Sequence, residues 1–103
     1  MTDAIWSGID EMAASVIAQL AAARACLHNA DLAGADAVVR SDAAINAQRY
    51  RIEDLITAEL GGTNSDAERL RVLIAALSVS NDLERIGDHC EGIAHCCAHW
   101  SWA

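Results

Sequence analysis

The sequence predicts an all-α fold: an antiparallel three-helix bundle running up, down and up. Three observations carry this. Aromatics are 4% of the 103 residues and proline is absent, while alanine supplies much of a 53% hydrophobic fraction; Ala-rich, Pro-free chains favour long, closely packed helices. No run alternates β-branched and aromatic residues, as a strand would. Apolar residues recur at helical spacing in three blocks separated by two breaks. At this length one domain is expected, spanning residues 1–103.

The first helix is predicted from Asp3 to His28, with Ile5, Ile9, Met12, Val16, Leu20 and Leu27 along one face. The run HNADLAG breaks it, and Asn29 or Asp31 can accept hydrogen bonds from the first free amides of the next helix. That second helix is predicted from Leu32 to Leu60, with Val38, Ile45, Ile52 and Ile56 on one stripe. GGTNSDAERL is the strongest punctuation in the chain. Gly61 or Gly62 can adopt the left-handed conformation that ends a helix, and Ser65 with Glu68 forms an S-x-x-E capping box. The third helix is predicted from Asp66 to near the C-terminus. Three helices of about 40–50 Å, at 1.5 Å per residue, joined by short connections, make an up-down-up bundle.

Net charge is −8, and all seven basic residues are arginine. An acidic surface repels nucleic acid and anionic membrane, which argues against both as partners. The N-terminal MTDAIWSGIDEMAAS has no basic region, and charges interrupt every apolar run well short of a span. Neither a secretion signal nor a transmembrane helix is expected. Cys26, Cys90, Cys96 and Cys97 lack the spacing of a secreted disulfide framework and read as reduced thiols of a cytoplasmic protein.

Projection of the third helix at about 100° per residue places Leu73, Ala76, Leu77, Leu83, Cys90 and Ala94 on a broad apolar face with Gly87 near its centre. Val72, Val79, Ile86 and Ile93 extend that face on one side. Glu84, Asp88, Glu91 and His95 lie along its other border, in line with Leu70 and Leu77. On the second helix Asp42, Asn46, Arg49 and Glu53 form a polar stripe bordered by Val38, Ile45, Ile52 and Ile56. Two such stripes on adjacent antiparallel helices can meet, and carboxylates on facing helices of a bundle ligate hard or borderline cations. The alternative is that both stripes face water.

SDAAINAQRYRIEDLI followed by LRVLIAALSVSNDLERIGDHCEGIA resembles one domain of the PhoU family, phosphate-uptake regulators of bacteria and archaea. The resemblance covers roughly residues 10 to 98, and NDLERIGDH is its most specific part. It implies a three-helix, spectrin-repeat-like bundle and an E/D-x-x-x-D motif on each of the second and third helices, binding iron, zinc or other divalent ions such as nickel. By position the third-helix motif is Glu84 and Asp88, and it is intact. The second-helix motif falls on Arg49 and Glu53, and an acid is usual where Arg49 stands. Arg69 likewise replaces the usual Asp of a D-L-R triplet.

An arginine among carboxylates brings a cation and five donors without any metal. Arg49 facing Glu84 and Asp88 would form charge-assisted hydrogen bonds and repel a divalent ion. Two occupants therefore stay open: a single ion on Glu53, Glu84 and Asp88 with Arg49 turned outward, or Arg49 as resident cation and no metal at all. Family members usually pair two domains, whereas this sequence reads as one. Leu70, Leu73 and Leu77 on the acid side of the third helix are expected to seek a partner surface, so a homodimer is expected, with Trp6 of one chain near Trp100 or Trp102 of the other.

The tail HCEGIAHCCAHW offers a weaker second metal site: His95 and His99 stand four apart on one helix. Cys90 and Cys97 share the apolar face, where cysteine acts as a small hydrophobe. No nucleophile–base arrangement or substrate cleft is legible, so no enzyme is expected. The resemblance implies a regulator of phosphate transport, phosphate signalling and the transcription tied to it, contacting a phosphate-transport ATPase or a sensor kinase in the cytoplasm. The rival readings are a small metal-storage or metal-sensing bundle and a helical dimerisation module without the family's role.

Overall fold

Each helix carries its inward residues at alternating spacings of three and four, the rhythm that keeps one seam facing its neighbours along the length of a bundle. The computed structural model describes residues 2–29, 31–62 and 66–100, with residues 99 and 100 as backbone only. It contains α1 (Asp3–Asn29), α2 (Leu32–Leu60) and α3 (Ala67–Trp100), packed pairwise into a rod of 58 × 17 × 16 Å. The up-down-up bundle and all three helices follow the sequence reading.

On α1 the seam is Ile5, Ile9, Met12, Val16, Gln19, Ala23 and Cys26, all buried. On α2 it is Ala35, Val38, Ile45, Ile52 and Ile56, with the half-buried Asp42 and Arg49 keeping the rhythm. On α3 it is Leu73, Ala76, Ser80, Leu83, Gly87, Cys90, Ala94 and Cys97, buried apart from the half-buried Leu83.

This seam corrects several expectations. Leu20 and Leu27 are 48% and 62% exposed, not part of the inward face. Two successive steps of four, from Met12 to Val16 to Leu20, drift off the seam, and the polar Gln19 occupies the inward position instead. Leu77 is 37% exposed while Ser80, its hydroxyl donating to the Leu77 carbonyl at 2.9 Å, is fully buried. Leu73 belongs to the core and is not available to a partner, whereas Leu70 stays exposed beside Leu77.

The helix ends also differ in detail. Asp31 caps α2, its Oδ1 accepting from the Gly34 amide at 3.1 Å. Asp66 caps α3, its Oδ1 accepting from the Arg69 amide at 2.7 Å; the Ser65 of the expected capping box lies outside the described residues. Gly61 closes α2 in right-handed geometry (φ −75°, ψ −6°), and neither it nor Gly62 is left-handed. Their amides instead reach back to the Thr57 and Glu59 carbonyls at 3.0 and 3.2 Å. The Arg69 guanidinium braces the turn by pairing with the Glu59 side chain and donating to the Glu59 carbonyl.

The core divides into two clusters. One holds the bulky Ile5, Ile9, Met12, Val16, Ile45, Ile52, Ile56 and Leu73 with Ala76. The other is built from small residues: Ala23, Cys26, Ala35, Val38, Cys90, Ala94 and Cys97. Gln19, Asp42 and Gly87 are the seam positions at the junction of the two, one from each helix. Between the two clusters lies a layer containing an amide, a carboxyl and a glycine.

Candidate functional site

The polar stripes of α2 and α3 do meet, and the seam between them splits into two halves of different character. In the first half Arg49 reaches across to Glu84. Its Nη1 donates to Glu84 Oε1 at 3.1 Å, and its Nε lies 2.5 Å from Glu84 Oε2 without pointing at it. Glu53, one turn on, lies 3.7 Å from the same Nε. The Tyr50 ring sits beside the guanidinium, 5.1 Å from its carbon to the ring centroid. Both partners of the central pair are about four-fifths shielded, with side-chain exposures of 23% and 19%. Burial works against the Arg49 charge, yet Glu84, Tyr50 and Glu53 outweigh it and hold the guanidinium more firmly protonated than usual.

In the second half, a turn or so along, Asp42, Asp88 and Glu91 each bring a carboxylate oxygen within 4.8 Å of the others. Asn46 donates to Asp42 Oδ2 at a long 3.5 Å. The Asp42 carboxyl is pushed up to about 6, first by burial, then by a hydrogen bond to Glu91 and by the charges of Glu91, Asp88 and Glu84. Three acids gathered this closely, with His95 against Glu91 as the one basic side chain beside them among the described residues, repel one another, and a proton or a cation relieves that repulsion.

The expected ligands are thus divided. Glu84 and Glu53 lie at Arg49, while Asp88, expected to face Arg49 together with Glu84, lies instead with Asp42 and Glu91. Among the described residues Glu53, Glu84 and Asp88 do not form a group with ligand spacing; Asp42, Asp88 and Glu91 do. The chemistry of each half tests the metal that the fold implies. Around Arg49 a divalent ion does not fit, because a fixed positive charge already pairs with the carboxylates. At Asp42, Asp88 and Glu91 it does fit: an all-oxygen, partly shielded donor set suits hard divalent cations.

The tail site is less developed. His95 Nε2 lies 3.4 Å from Glu91 Oε1 on an exposed side chain, and the His99 side chain lies outside the described residues. Cys26, Cys90 and Cys97 are buried and Cys96 is exposed. Burial raises the Cys26 and Cys90 thiols, with Cys97 and Asp31 adding to the effect at Cys26. These thiols are therefore held protonated, poor nucleophiles and poor ligands, as core packing requires.

Asp42 supplies a pH test. Its folded value of about 6 lies above the ordinary 3.8, so the folded chain binds the extra proton. The stability this gives is fully present below about 3.8 and is lost as pH rises through about 6. A shift of this size corresponds to about 3 kcal/mol, which screening at a partly exposed group reduces to about 1–2 kcal/mol. In chelator-treated protein, Asp42→Asn is expected to flatten the fall in stability between pH 4 and 7 and to exceed the wild type at pH 7.5 by about 1 kcal/mol. Urea unfolding at both ends of the window checks this, and a variant with the parental pH profile would refute it.

Sequence reasoning placed Asp42 in the polar stripe but not among the ligands, and it missed Gln19 altogether. The signal was present in the three–four rhythm, which puts both residues on the seam with Gly87. Among the described residues no helix is long and apolar enough to cross a membrane.

The PhoU domain model matches residues 9–97, in agreement with the resemblance carried by NDLERIGDH. No curated protein and no solved structure matches the chain. A match over this much of the chain, on a bundle of the expected architecture, shows that the chain belongs to the PhoU domain family, a regulatory family whose general role is in phosphate control.

Proposed function

We propose that the chain is a cytoplasmic adaptor of phosphate transport and phosphate signalling. It acts by docking its helix faces on a phosphate-transport ATPase or a sensor kinase, and its acid seam holds a divalent cation. The observation that carries this reading is the PhoU match over residues 9–97, on a bundle that leaves large apolar side chains outside its core. Glu11 and Ser15 mark the α2-facing side of α1 through their contacts with Arg51 and Gln48. By helical geometry Trp6, Ile17 and Leu20 lie away from it, toward α3, and Val79 and Ile86 lie on the side of α3 opposite Glu84. These five residues, 36–68% exposed, gather large apolar side chains on one face, the pattern of an interaction surface.

A second copy of the chain is the first occupant we assign to that face, giving a homodimer with two bundles side by side. Sedimentation at micromolar concentration is expected to give a dimer, and Leu20→Glu with Ile86→Glu a folded monomer. A wild type that runs as a monomer removes the dimer from the proposal and leaves the regulatory role to be judged separately. That role is tested in cells with ample phosphate: loss of the chain should raise a phosphate-starvation reporter several-fold. Unchanged reporter output would contradict it.

A second reading, a small metal-storage or metal-sensing bundle, is favoured by the Asp42, Asp88 and Glu91 group. The starvation reporter separates the two: loss of an adaptor raises it, whereas loss of a bundle that only stores or senses metal leaves it unchanged.

A further inference from the structure

Gln19 is 3% exposed, in the middle of the bundle. Its Nε2 donates to the Val38 carbonyl at 3.1 Å. Because that carbonyl can only accept, the orientation of the amide is settled, and Oε1 must point the other way. There it has no hydrogen-bond partner, and neither does Asp42 Oδ1. Both oxygens converge on Gly87: a Cβ built on that glycine would stand 3.2 Å from Gln19 Oε1 and 3.6 Å from Asp42 Oδ1. The absent side chain lets two buried acceptors approach the α3 backbone, and among the described residues neither has a hydrogen-bond donor. Buried acceptors left in this state are costly, so a site of this kind calls for an occupant. The next residue, Asp88, and the next turn, Glu91, bring the two other carboxylates to Asp42.

We infer that Gln19 supplies the innermost, neutral oxygen ligand of a single hard divalent cation whose charged ligands are Asp42, Asp88 and Glu91. The inference rests on the reading of the acid group as a cation site and extends it in two ways. It adds a ligand from α1, so the cation ties together all three helices and not only α2 and α3. It also fixes the class of ion, because an amide carbonyl with three carboxylates suits magnesium, manganese or calcium over thiophilic metals. Gly87 is then required for space.

The test uses Mn²⁺ as the probe, with free ion counted by electron paramagnetic resonance on the full chain. Wild type is expected to bind one ion, and Asp42→Asn/Glu91→Gln to bind none. Gln19→Leu, close in volume, is expected to weaken binding by roughly tenfold or more, the scale on which groups that set a metal site act. Gly87→Ala, which places a methyl between the two oxygens, should weaken it similarly while leaving the helical circular dichroism intact. If Gln19→Leu only lowers stability and binds Mn²⁺ as tightly as the wild type, Gln19 is a structural residue whose Oε1 meets a water, and the inference is overturned. If the wild type binds no Mn²⁺, the cation reading falls with it, whereas the reporter response would still stand or fall on its own.

Discussion

Replacing Ile45 with alanine is expected to lower the unfolding free energy by about 3 kcal/mol, the usual cost of removing a large aliphatic side chain from a packed interior. Ile45 is 1% exposed and belongs to the bulky cluster, and its Cδ1 is the apolar neighbour closest to the Gly87 space. It is also the residue between Asp42 and Arg49 on the α2 seam, so it separates the two polar halves of the site. In a bundle this narrow a lost side chain has few neighbours that could close the gap. Domains of this size have total stabilities of roughly 5–10 kcal/mol, and the melting temperature should fall by about 12–20 °C. Thermal and urea unfolding give the number. A loss under about 1 kcal/mol would mean that the core collapses around the vacancy and is not packed as described.

The second large effect concerns the Arg49–Glu84 pair. Glu84→Gln keeps the shape and the hydrogen-bonding capacity but leaves a shielded guanidinium beside only the more distant Glu53. Removing one member of a fully buried pair costs about 3–5 kcal/mol, chiefly through the stranded charge; with about a fifth of each side chain exposed, about 2 kcal/mol is expected. Arg49→Met together with Glu84→Leu removes both charges, and that pair should return to within about 1 kcal/mol of the wild type. The signature is therefore strong non-additivity in denaturant midpoints measured with chelator present. If Glu84→Gln alone is neutral, the contact is a screened surface pair, and Arg49 does not hold its half of the seam.

How much of this was legible depends on the residue. The bundle was, because Ile5, Ile9, Met12 and Val16 on α1 and Ile45, Ile52 and Ile56 on α2 are large, apolar and regularly spaced. The ends of the seam were not. Toward the small-residue cluster the buried positions are filled by Gln19, Ala23 and Cys26, none of which outranks Leu20 or Leu27 in hydrophobicity. A reading by hydrophobicity alone follows the leucines outward. The same substitution of weak for strong signal hid Ser80 behind Leu77.

At the site, Glu84 was readable as one side of an interhelical pair because its partner, Arg49, interrupts an acid motif. The regrouping of Asp88 with Asp42 and Glu91 was not. It depends on the register of two antiparallel helices to within one turn, and residue spacing within one helix does not fix that. Gln19 needed both the register and the amide orientation dictated by the Val38 carbonyl.

Arg49 fills one half of the α2–α3 acid seam, and a cation is what we propose for the other. Crystals of the full chain grown with manganese, with an anomalous difference map, address it directly. One peak per chain is expected among Asp42, Asp88 and Glu91, with Arg49 still paired to Glu84. A peak between Glu53 and Glu84 with Arg49 swung outward, or no peak beside Asp42, would contradict it.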